Sequence, residues 1–168
     1  MAEDSSLLRE PPDEYGPAYR EHILEQYKLY VEMADRVSQR RSVANSFFLT
    51  LQTGLLGLTA SLAGISFGGG ENEAAALTTA LFGLLFAYVW WRILESYRQL
   101  NSGKYQVVHE LEALLPAAPY DDEWDKLGRG KDSKKYTQLT KVEGWVPLVF
   151  ALGYLAAAAL AIVLLVWR

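Results

Sequence analysis

Residues 45–94 read NSFFLTLQTGLLGLTASLAGISFGGGENEAAALTTALFGLLFAYVWWRIL. Two apolar runs, 45–67 and 74–94, flank a short polar turn, 68–73 (GGGENE), and the first charge in either run is Arg92. At about 1.5 Å of rise per residue, a little over 20 helical residues cross the roughly 30 Å hydrocarbon core of a bilayer. A third uncharged run, 145–167, has Trp145 and Trp167 at its ends. Tryptophan favours the membrane–water interface. The expected fold class is therefore an all-α integral membrane protein with three transmembrane helices.

The segments around these runs are strongly polar. In 168 residues, 51% are hydrophobic and 21% charged, yet mean hydropathy is close to zero and the net charge is only −4. That combination arises when greasy spans alternate with charged arms. There is no cysteine, which excludes disulfides and thiolate chemistry. The acidic start, MAEDSSLLRE, has no apolar core and is not read as a secretory signal, so the first span is expected to act as an uncleaved anchor.

Before the first span, Ile23, Tyr27, Tyr30, Ala34, Val37 and Ala44 follow a 4,3 spacing that places them on one helix face, with Arg41 breaking the stripe. No Gly or Pro interrupts this pattern, so one helix is expected from Tyr19 to Phe67. After the second span, Leu94, Tyr97, Tyr105, Val108, Leu111 and Leu115 keep a helical period until Pro116 stops it. The first two spans thus extend out of the bilayer as an amphipathic stalk. Its apolar stripes need cover from each other, from 116–144 or from another copy, which points to a homo-oligomer.

Lys and Arg flank the spans at Arg36, Arg40 and Arg41 and again at Arg92, Arg98 and Lys104, whereas the 68–73 turn has only Glu71 and Glu73. The bias of basic residues toward the cytoplasm puts both stalk segments there. The chain divides into a disordered lead-in (1–18), a cytoplasmic amphipathic helix (19–45), a first span (46–67), an external turn (68–73), a second span (74–94), a cytoplasmic helix and charged loop (95–144) and a third span (145–167).

Within the first span, small and hydroxylated residues are frequent. Gln52, Thr53, Gly57, Ser61 and Gly64 are candidates for close helix packing between copies or for lining an opening in an oligomer. Gln52 is the most polar residue inside any span, and its amide requires a hydrogen-bond partner from another helix or from water. Arg92 can reach the headgroups. In the loop 116–144, the acidic cluster around Trp124 is followed by basic residues, and Lys131, Lys134 and Lys135 are candidates for anionic lipid headgroups. Asp121 is expected to cap a short helix there, with Trp124 anchoring it.

Other chemistry is poorly supported. The stretch GRGKDS at 128–133 lacks the Gly four places before the Gly-Lys pair and the Ser or Thr after Lys that a phosphate-binding loop needs. His22 and His109 each sit among glutamates, but without metal-ligand spacing. No catalytic, cofactor-binding or metal-binding residue is assigned, and no nucleic-acid partner is expected.

The strings YKLYVEMADRVSQRRSVANSFF (27–48), WRILESYRQLNSGKYQVVHELEALLPAAPYDDEWDKLGRGK (91–131) and VEGWVP (142–147) resemble the RipA family of small octameric bacterial membrane proteins. The resemblance implies a bacterial inner-membrane location, an eight-subunit ring and a link to growth inside host cells. It brings no catalytic residues. The expected function is a non-catalytic, homo-oligomeric scaffold that supports envelope homeostasis, with lipid and possible cytoplasmic proteins as further partners. A pore or gated conduit is the alternative.

Overall fold

The structure, a computed structural model, describes residues 7–63, 72–132, 134–137 and 139–166, with the backbone alone at 140 and 141. Gly64, most of the 68–73 turn and Trp167 lie outside the described residues. Every element among the described residues is helical: α1 (Pro12–Tyr15), α2 (Tyr19–Leu62), α3 (Glu73–Glu112), α4 (Pro119–Lys126), a 3-10 turn (Gly128–Gly130), α5 (Leu139–Glu143) and α6 (Trp145–Val166). Among the described residues, α2, α3 and α6 are long and apolar enough to cross a membrane. With 44 and 40 residues, α2 and α3 are each about twice the length that a crossing requires.

The chain divides into two units, 1–39 with 98–137, and 40–97 with 138–168. In the second, α2 and α3 run antiparallel, and α6 runs alongside α2. One pattern accounts for the close approach of α3. Ala76, Ala80, Gly83, Ala87, Trp90 and Leu94 recur at 4,3,4,3,4 spacing, and all six are buried. That spacing is the seam of a helix packed along its length, and small residues in it let backbones approach where lipid supplies no hydrophobic drive. At one end the seam is small, with Ala63, Ala76 and Ala161 buried together. At the other it is bulky: Phe48, Trp90 and Leu94 pack with Ile93, Val146 and Phe150. The Phe48 ring stacks on Trp90, centroids 5.9 Å apart, and Trp90 Nε1 donates to Asn45 Oδ1 at 2.8 Å.

Arg41, which breaks the apolar stripe of α2, pairs with Glu143 of α5 at 3.5 Å. A charge in the helical seam is tolerated because an opposite charge on a neighbouring element meets it.

In the first unit, the stripe residues Ile23, Ala34 and Val37 are buried, as are Val108 and Leu111. Asn101 Nδ2 donates to Ser38 Oγ at 3.3 Å, and the Lys104 ammonium lies 5.1 Å from the Tyr30 ring centroid. Within one chain the stripe is thus covered in part: Tyr27 and Tyr30 are half-buried and Tyr105 stays exposed.

Candidate packing and membrane-facing sites

Gln52 sits on the inner face of α2 and is fully buried. Its Nε2 donates to the Gly83 carbonyl at 3.2 Å, and its Oε1 accepts from the Tyr154 hydroxyl at 2.8 Å. The same hydroxyl lies 3.0 Å from the Gln52 backbone carbonyl. One side-chain amide therefore links all three long helices. In hydrocarbon an unpaired amide costs several kcal/mol, so these partners are obligatory for the burial of Gln52. The geometry depends on Gly83. A Cβ built there would stand 2.3 Å from Tyr154 ring carbons, so the ring lies directly on the α3 backbone. Gly83 and Tyr154 escape a reading by residue type. The signal that finds Gly83 is its place in the 76–94 seam; nothing in the sequence selects Tyr154 among the aromatic residues near the spans.

Thr53 and Gly57 lie on another side of α2, about 100° and about 140° round the helix from Gln52. Both are exposed, and a Cβ at Gly54 or Gly57 would meet nothing within 4 Å. The Thr50 and Thr53 hydroxyls donate to the Ser46 and Leu49 carbonyls of their own helix, at 3.0 and 2.8 Å. This outer face therefore presents small side chains whose donors are already satisfied. Ser61 is half-buried.

The first unit holds a second node. Glu112, the last residue of α3, is buried. Its Oε1 accepts from the Tyr27 hydroxyl at 3.1 Å and from the Tyr120 amide at 3.0 Å, and its Oε2 accepts from the Asp121 amide at 3.1 Å. Tyr120 and Asp121 are in the first turn of α4, whose amides have no partner within the helix. A carboxylate there also meets the positive end of the helix dipole. The expectation that Asp121 caps this helix is thus corrected. The capping position belongs to Ala118, which has no side-chain oxygen, and the acceptor is imported from α3. Asp121 instead faces the Arg129 guanidinium at 3.1 Å and His109 Nδ1 at 3.5 Å. Burial, then the hydrogen bond to Glu112, pushes the Tyr27 phenol up to about 12. Burial likewise raises the Tyr105 phenol, whose ring packs against Tyr120 with centroids 6.0 Å apart. Trp124 packs edge-on to Tyr136.

The histidines do not converge: His22 Nδ1 is 2.7 Å from the Tyr15 hydroxyl, while His109 faces Asp121. Among the described residues, no group of three or more His, Asp or Glu could hold a metal ion. In the GRGK stretch, Gly128, Arg129 and Gly130 all have positive φ, 69°, 49° and 66°, so the glycines serve a left-handed backbone. Lys131, Lys134 and Lys135 are exposed. So is Arg92, whose guanidinium carbon is 6.0 Å from the Trp91 ring centroid.

A sequence model described as the octameric membrane protein family (8xMP) matches residues 24–166. The match covers both nodes, the three long helices and the basic loop. No curated protein and no solved structure matches the chain.

Proposed function

The chain belongs to the octameric membrane protein family, a multi-pass membrane protein in its own right by its three long apolar helices, and from that premise we propose that it works as a non-catalytic scaffold of eight identical subunits. The observation that carries this reading is the family match over the spans and the water-side helices together. The internal polar groups of the span unit support it. Gln52, Tyr154, Asn45 and Trp90 use their hydrogen bonds on one another or on nearby backbone, which suits a structural bundle. The outer face of α2, with Thr53, Gly54 and Gly57 open, suits close packing against a neighbouring copy.

In this reading the basic residues at the ends of the spans keep residues 19–45 and 95–144 in the cytoplasm, and the membrane is a bacterial inner membrane. The cytoplasmic helices offer a surface to protein partners. The scaffold supports envelope homeostasis and, in a pathogen, growth inside host cells.

A bulky residue on the open face separates assembly from folding. Gly57→Trp should leave the protomer folded, because nothing lies within 4 Å of a Cβ there, and should break the assembly. In cells lacking the protein, we expect wild type to restore envelope resistance to detergent and the Gly57→Trp chain to fail. Full restoration by a chain that no longer assembles would contradict the scaffold reading.

A further inference from the structure

We propose that Lys131, Lys134 and Lys135 form a docking surface for the phosphate headgroups of anionic lipid in the leaflet that α6 enters. Lys126 pairs with Asp122, and Arg129 bridges Asp121 and Asp125. Asp132 turns a carboxylate oxygen to the Lys134 amide at 3.0 Å. Asp121, Asp122, Asp125 and Asp132 are thereby engaged, and the three exposed lysines have no acidic partner among the described residues.

The position along the chain supplies the partner. After the lysines the chain passes directly into α5 and then α6, the most apolar of the three long helices. On α5, Leu139 is 56% and Val142 51% exposed, and Trp145 at the start of α6 is 65% exposed. Apolar side chains left open beside a tryptophan at the mouth of a span fit the boundary between headgroups and acyl chains. A basic stretch next to a span fits the anionic phosphates just outside that boundary. A free phosphate or nucleotide would need converging backbone amides instead. Here the glycines serve a left-handed turn, and the Lys131 amide is bonded to the Gly128 carbonyl at 2.9 Å. The proposal needs only the membrane spans and is independent of the scaffold reading.

Each lysine near an anionic surface favours binding by about fivefold. Salt screens exposed charges, so the expected enrichment for three is on the order of tenfold. The test reconstitutes the full chain into nanodiscs of equal phosphatidylglycerol and phosphatidylcholine and measures the lipid retained after detergent extraction. Wild type should retain phosphatidylglycerol preferentially, and the preference should fall as salt rises. K131Q/K134Q/K135Q should lose most of it with unchanged helix content, whereas Lys28→Gln, which removes a lysine paired with Glu25 on α2, should not. Equal retention by wild type and the triple variant, a salt-independent preference, or displacement of the lipid by millimolar inorganic phosphate would each overturn the proposal. Should the triple variant misfold, the salt dependence of wild type decides alone.

Discussion

Adding one methyl group at Gly83 should destabilise the span bundle by about 2–3 kcal/mol, the typical cost of overpacking a filled core together with a lost buried hydrogen bond. In an open helix the change from Gly to Ala is favourable by up to about 1 kcal/mol, because alanine restricts the unfolded backbone. Here that gain is outweighed. The new Cβ would lie 2.3 Å from two Tyr154 ring atoms and 2.6 Å from a third. The ring must move, and its hydroxyl then leaves Gln52 Oε1, the acceptor it holds at 2.8 Å. Reversible unfolding of the reconstituted chain in a detergent series measures the effect. Gly57→Ala is the control, since its Cβ meets nothing within 4 Å; it should be neutral or slightly stabilising in the protomer. A Gly83→Ala chain as stable as wild type would mean that Tyr154 does not rest on α3.

The second large effect belongs to Glu112. Glu112→Ala removes the acceptor of one hydroxyl and two amides at once. Hydrogen bonds to a charged group contribute about 1.5–3 kcal/mol each. The loss is limited because α4 can swing its first turn into water, so the expected cost is about 3 kcal/mol, confined to the docking of that helix. Amide exchange at Tyr120 and Asp121 should accelerate by roughly a hundredfold, while amides in the long helices stay protected. Glu112→Gln keeps an acceptor without the charge and should fall between. Unchanged exchange at these two amides in Glu112→Ala would remove the cap.

The same contact sets a pH dependence. The Tyr27 phenol, held up at about 12 by burial and by Glu112, keeps its proton in the folded state after an unfolded tyrosine has lost it. Its contribution to stability is therefore complete below pH 10 and declines as pH rises toward 12. Absorbance titration of phenolate should show a late-ionising fraction that shrinks by one tyrosine in Tyr27→Phe, and Glu112→Ala, which leaves the burial in place, should lower the Tyr27 value part of the way toward 10.

These two nodes differ in how far the sequence discloses them. The three spans follow from run length and the absence of charge, because a bilayer admits little else. That Gln52 needs a partner follows from the same solvent argument. Which partner it takes does not, because the choice between Gly83 and any other carbonyl is made by how three helices rotate against one another. The outward placement of Thr53 and Gly57 is decided by the same rotation. Gln52 and Thr53 are neighbours in sequence, yet the first is buried and the second exposed, so naming them together as one set of candidates hides the difference.

Glu112 is hidden for another reason. Capping rules look for an acceptor within a residue or two of the helix start. The start of α4 offers Ala118 and Pro119, and a local reading then turns to Asp121. The true acceptor arrives from the end of α3 across a turn. Arg41 is a milder case. As a break in an apolar stripe it announces a partner, and only the fold supplies Glu143.

The central claim is that bundles closed internally at Gln52 assemble through their outer faces into a fixed ring. The mass of the intact assembly, released from lipid nanodiscs by native mass spectrometry, tests this most directly. The account predicts a single species of eight chains for wild type and a shift to single folded chains for Gly57→Trp. Wild type released only as single chains would contradict it.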